Sequence, residues 1–142
     1  MKTILVGLDG SPSSVEVLAQ AASLARATGA KLVLLRVVGL PVELPREALT
    51  HSPEDLPGIL QGIARQRLNE MAETVPKELI QKIRVDIGSP WQGILNAGRD
   101  ENADLIIIGS HGHGLIDRVL GTTASRVVNH ADRAVLVARP RA

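Results

Sequence analysis

The 142-residue chain has the length of one domain, and its 44% apolar content is enough for a single core without metal or disulfide support. Sixteen Lys and Arg against fifteen Asp and Glu leave a formal charge of +1, which gives no basis for general nucleic-acid or membrane-surface binding. The lack of cysteine excludes disulfides, thiolate metal sites and cysteine nucleophiles, and a lone aromatic residue, Trp91, offers no platform for stacking bases.

Val, Ile, Leu and Ala must therefore build the core. Residues Thr3 to Leu8 form a short apolar run ended by Asp9-Gly10, which reads as a parallel-sheet strand buried on both faces. This run is too short for a signal peptide, and no other run reaches the length of a membrane span. The expectation is a soluble, cytoplasmic protein. Ser11-Pro12 supplies a helix cap and a proline for the first turn, and the first helix is expected to run to about Thr28. Leu18, Ala22 and Ala25, with Val17, Ala21 and Leu24 beside them, form its apolar face, and Gly29 is its stop. Lys31 to Val38 is the second strand. From Gly39 to about Leu56 the periodicity disappears and three prolines mark a long connection.

The second helix carries Leu60, Ala64, Leu68, Met71 and Val75 on one stripe, with Arg65 and Arg67 expected on a solvated face. Lys82 to Gly88 reads as strand three. Ser89-Pro90-Trp91-Gln92 has capping-box spacing and opens a third helix that runs to about Asp100 and buries Ile94, Leu95 and Gly98. Trp91 is expected to pack over the sheet edge. Asp104 to Gly109 is strand four. A glycine-rich segment follows, then a fourth helix from about Thr122 with Ala124, Val127, Val128 and Ala131 at one-face spacing, and finally strand five from Ala134 to Ala138. Alternation of strands and helices predicts one α/β domain, residues 1–142, with an open parallel sheet covered by helices on both faces.

The segment that carries chemistry lies between strand four and helix four. Gly109 and Gly112 leave the backbone free to approach an anion at the strand end. Gly121, Thr122 and Thr123 stand where a helix presents unpaired N–H groups, its positive dipole end and two hydroxyl donors. No Gly-Lys-Ser/Thr ends the segment, so it is not a Walker loop, and its place after the fourth strand separates it from the dinucleotide fingerprint.

These stretches, ILVGLDGSPSS, KLVLLRVV, ADLIIIGSHG and LGTTASRVVNHADRAVLVAR, resemble the universal stress protein family over nearly the whole chain. ATP-binding members of that family carry G-x-x-G, a spacer, then G followed by Ser or Thr. Here eight residues separate Gly112 from Gly121, one fewer than the family spacing. The resemblance implies a Rossmann-like sheet of the adenine nucleotide alpha hydrolase type, with strand order 3-2-1-4-5. It implies an ATP site, with Mg2+ as an accompanying ion, in which Gly7, Leu8, Asp9, Val37 and Ile108 meet the adenosine end. Gly109, Gly112, Gly121, Thr122 and Thr123 meet the phosphates. It also implies a homodimer through strand five, Ala134 to Ala138, whose apolar edge would otherwise stand open.

Alternatives stay open for single residues. Asp9 either contacts the nucleoside or a divalent cation, or is a turn-forming aspartate. His111 and His113 alternate without a third ligand beside them, so no metal site is assigned. Asp117-Arg118 reads as an exposed ion pair or as a guanidinium for the phosphates, and His130 complements the dipole of helix four. No G-x-S-x-G elbow or Ser-His-Asp set is present, and no catalytic residue is assigned. Two functions therefore compete: an ATP-binding regulatory module of the stress response, and a dimeric adaptor with a vestigial site. A slow ATP hydrolase follows behind them.

Overall fold

The computed structural model describes residues 1–39, 55–110 and 120–140. Expectations on Gly112, His111, His113, Asp117 and Arg118 and on most of the Gly39–Leu56 connection lie outside these residues. Five strands form one parallel sheet in the order β3-β2-β1-β4-β5. In chain order they are β1 (Thr3–Gly7), β2 (Lys31–Val38), β3 (Ile80–Ile87), β4 (Leu105–Gly109) and β5 (Ala134–Ala138). The helices between them are α1 (Ser14–Thr28), α2 (Asp55–Ala72), α3 (Pro90–Asp100) and α4 (Thr122–His130), and a short 3-10 turn at Lys77–Leu79 leads into β3.

The alternation of strand side chains divides the interior into two cores. Ile4 and Val6 of β1, Leu32, Leu34 and Val38 of β2, and Leu105 and Ile107 of β4 face α1 and α2. Leu5, Val33, Leu35, Val37, Ile106 and Ile108 face the other way, onto Ile94, Leu95 and Ala97 of α3 and Ala124 and Val127 of α4. Both faces of the central strands are covered, which is why those strands read as continuous apolar runs rather than alternating ones. Arg36 interrupts this scheme. It sits on β2 between Leu34 and Val38, so it shares their side of the sheet at the strand's C-terminal end.

Several boundaries differ from the sequence reading. Helix α1 begins at Ser14 rather than directly after Pro12. Asp9 captures the Ser11 N–H and the Ser14 hydroxyl, holding Ser11–Ser13 in a turn, and Gly10 supplies the positive φ of 79° within it. Ser89 precedes α3 with Pro90 in its first turn, but its side chain makes no capping bond, so the capping box is not formed. Strand β3 starts two residues earlier, at Ile80, where its pairing with β2 slips at Leu32/Val33. Val128 faces outward at 45% exposure, because only Ala124 and Val127 of the short α4 reach the sheet. Trp91 lies at the α3–α4 seam rather than over a sheet edge. Its ring is 4.9 Å from that of His130, with the Arg126 guanidinium 5.6 Å from its centre.

Candidate functional site

Strands β1 and β4 are hydrogen-bonded neighbours, and their connections leave toward opposite sides of the sheet. The carboxyl ends of the two strands therefore open a crevice, the usual place for a ligand in an open α/β sheet. A cleft of about 300 Å³ occupies it. Of the residues expected from the sequence, Gly7, Leu8, Asp9, Val37, Ile108, Gly109, Gly121, Thr122 and Thr123 all line this cleft. They come from four separate parts of the chain and meet because the sheet places β1 between β2 and β4.

One end of the cleft is an apolar slot. Val37, Ile94 and Ile108, all nearly fully buried, supply its walls. A Cβ added at Gly7 would stand 3.2 Å from Ile108 Cγ2 and 3.4 Å from Ile94 Cδ1, so a side chain at that position would crowd the slot. At the other end, α4 begins. Gly121 is its N-cap in extended conformation and, as glycine, brings no capping side chain of its own. Gly121 is itself pinned by donating its N–H to the Ser110 carbonyl at 2.7 Å, while its carbonyl accepts the Ser125 N–H at 2.9 Å. Among the described residues no side chain accepts from the first-turn N–H groups, which stand beside the Thr122 and Thr123 side chains. This is the arrangement that attracts an anion.

Asp9 sits between the two ends of the chemistry. Its Oδ1 accepts the Ser11 N–H at 2.9 Å and the Ser14 hydroxyl at 3.0 Å. Burial would raise this carboxyl, but the hydrogen bonds from Ser11 and Ser14, with the charge of Arg36, hold it below the ordinary aspartate value. Asp9 is therefore ionised at neutral pH. The turn-forming role and a ligand-facing role coexist, since Asp9 both makes the turn and lines the cleft.

Three polar or charged neighbours escaped the sequence reading or were given another role: Ser13, Ser14 and Arg36 also line the cleft, as does Pro90. The signal for Arg36 was a single charge inside the run KLVLLRVV, which has no place in a strand buried on both faces unless that position opens on a cavity. Among the described residues no group of three or more His, Asp or Glu is placed to hold a metal ion, and no helix is long and apolar enough to cross a membrane.

The sequence model of the Universal stress protein family matches residues 1–139. The chain belongs to the universal stress protein family. It is 31% identical over 136 residues to universal stress protein A homolog 1 of Coxiella burnetii, covering 95% of this chain and 94% of that one. It is 33% identical over 140 residues to a universal stress protein of Thermus aquaticus, covering 97% and 98%. A Mycolicibacterium smegmatis universal stress protein is longer, and the chain spans 46% of its length at 31% identity. Among solved structures, the hypothetical protein MJ0577 superposes with a TM-score of 0.82 at 23% identity, covering 99% of this chain and 97% of that one. A universal stress protein in complex with cAMP gives 0.65 at 24% identity, covering 97% and 96%. The Archaeoglobus fulgidus universal stress protein in complex with dAMP gives 0.58 at 17% identity, covering 96% and 97%. These likenesses establish a five-stranded parallel universal stress protein fold for this chain.

Proposed function

We propose that this protein is an ATP-binding regulatory module of the stress response, acting in the cytoplasm, whose occupancy changes its shape or its partner contacts. The observation that carries the reading is the union, in one cleft, of an apolar slot between Val37, Ile94 and Ile108 with the uncapped start of α4 at Gly121–Thr123. A nucleotide has those two parts: a flat base that prefers an apolar slot, and a phosphate chain that prefers free N–H donors. Asp9 is ionised and stands beside the slot, where its carboxylate would accept from ribose hydroxyls or the base. Thr122 and Thr123 would hold the phosphates, joined by Gly109 at the strand end; Mg2+ accompanying the phosphates would supply charge neutralisation. Related chains solved with cAMP and dAMP support an adenine nucleotide as the ligand class. The site is assigned to binding rather than turnover.

A homodimer through β5 belongs to the same proposal. In the order β3-β2-β1-β4-β5 this strand is an edge, and Val135, Leu136 and Val137 are only partly buried. Pairing with a second copy would satisfy its open backbone groups and cover those side chains.

Calorimetry with ATP, ADP, AMP and GTP tests the nucleotide reading. ATP should bind more tightly than AMP, because the donors at α4 act on the phosphate chain. Equal affinity for AMP and ATP would remove the phosphate argument. Silence toward all four nucleotides would favour a dimeric adaptor with a vestigial site, the reading to which the short Gly112–Gly121 spacing points.

A further inference from the structure

A second cleft of about 260 Å³ lies on the opposite side of Asp9, between the carboxyl ends of β1 and β2 and helix α2. One wall is aliphatic, with Leu60, Ile63 and Met71 of α2 among its members, and Ile63 is 47% exposed. The other side carries Asp9, Arg36 and Arg67. The stripe of α2 packs on the sheet through Leu68, with Leu60, Ala64 and Met71 beside it, and near the carboxyl ends of β1 and β2 it leaves a cavity with a charged rim. Arg36 is set where the alternation of β2 would put a core residue, and its guanidinium rests against the Asp9-Gly10 turn. A Cβ built on Gly10 would lie 3.7 Å from Arg36 Cζ.

The charges in this cleft are unequal. Among the described residues two guanidiniums face one carboxylate, and a single added negative charge would balance them. The arginines sense each other: burial lowers the Arg36 guanidinium from its ordinary value, the Asp9 charge opposes that, and Arg67 adds to the lowering. An anionic head between them would relieve this repulsion. Guanidinium forks match a carboxylate in two-point contact, and a monoanion matches the residual charge. At about the 30 Å³ of one water molecule per methylene, the 260 Å³ cavity takes roughly nine such groups, close to the length of a decanoate chain.

From the cavity, its aliphatic wall and the paired guanidiniums, we infer that this cleft is a binding site for a medium-chain carboxylate, with its head on Arg36 and Arg67 and its chain along α2. The site is separate from the nucleotide reading. Leu8, Asp9 and Arg36 line both clefts, but Arg67 and the α2 side chains line only this one.

The test uses decanoate below its aggregation range, followed by methyl NMR of Ile63, Leu60 and Met71 in the whole protein. Decanoate should shift these methyls saturably at one per chain, and decanol should bind at least tenfold more weakly. Arg67→Ala, at an exposed position outside the nucleotide cleft, should weaken decanoate about tenfold and leave ATP affinity unchanged. Arg36→Met should weaken it as well, and if that variant does not fold, Arg67→Ala alone decides. Equal binding of decanol and decanoate would overturn the inference, as would unaltered decanoate affinity in Arg67→Ala. No saturable shift of the α2 methyls would overturn it too. Arg36 lines both clefts, so the two readings are told apart by Arg67→Ala and by the decanol comparison, neither of which involves the nucleotide cleft.

Discussion

Gly93 and Gly62 are both interior helix glycines, yet the structure predicts opposite responses to alanine. On α3, a Cβ at Gly93 would fall 2.8 Å from Val37 Cγ2, 2.9 Å from Val37 Cγ1 and 3.4 Å from Val37 Cβ. Val37 is buried and β-branched, so rotation about χ1 still leaves one γ carbon against the new methyl. Forcing an extra methyl into such a contact costs about 1–3 kcal/mol, while replacing glycine by alanine inside a helix returns about 1 kcal/mol. Gly93→Ala should therefore lose roughly 1 kcal/mol, a fall in Tm of about 3 °C for a chain of this size. On α2, Gly62 has nothing within 4 Å of its added Cβ, so Gly62→Ala should gain about 1 kcal/mol. Urea titration followed by circular dichroism measures both. Adding Val37→Ala to Gly93→Ala should cost less than the two single changes together, since the neighbour that clashes is gone. If Gly93→Ala stabilises as Gly62→Ala does, α3 does not press on β2 and the slot wall is wrongly placed.

Four further outcomes follow from the geometry of the cleft and the sheet edge. Thr122→Ala removes a hydroxyl from charged phosphate and should cost about 1.5–3 kcal/mol, roughly a tenfold to hundredfold loss of ATP affinity by calorimetry. Gly121→Val should block approach to the buried N-cap with a smaller effect on melting; full ATP affinity in both variants would move the site elsewhere. The Asp9 carboxyl is held below its unfolded value of about 3.9, so the folded chain binds fewer protons than the unfolded one in acid. Its contribution is present above that value and is lost as pH falls through the lower folded value; Asp9→Asn should flatten the acid limb of stability, and an unchanged limb would contradict the Ser11 and Ser14 bonds. Light scattering of the wild type should give twice the 15.1 kDa of one chain, and Val135→Lys should shift it toward the monomer, with circular dichroism confirming the fold. A single-chain mass for the wild type would refute pairing through β5.

What the sequence revealed, and what it concealed, has physical causes. The central strands were legible because burial on both faces leaves them almost wholly apolar, Arg36 excepted, and Gly29 was legible because a left-handed helix end, here φ 75°, selects for glycine. The cleft was legible because glycines and threonines at a strand end and a helix start have few other joint uses. The start of β3 was not, since the slip at Leu32/Val33 lies in the pairing and leaves no mark on composition. Ser11 reads as a helix cap in isolation, but its hydroxyl pairs with that of Ser13 and its N–H with Asp9, and the helix starts at Ser14. Arg67 follows the pattern of a solvated face, and only the position of α2 against β2 turns it toward a cleft shared with Arg36. Trp91 gave no hint of its partners because His130 and Arg126 are brought to it by packing of α4 on α3.

The central claim, that an adenine nucleotide occupies the crevice between β1 and β4, is tested most directly by amide NMR during titration with ATP and Mg2+. The account predicts saturable shifts at Gly7, Asp9, Val37, Ile108 and Gly109 and at Gly121, Thr122 and Thr123, with α2 little affected. Shifts confined to α2, or none at a saturating concentration, would contradict it.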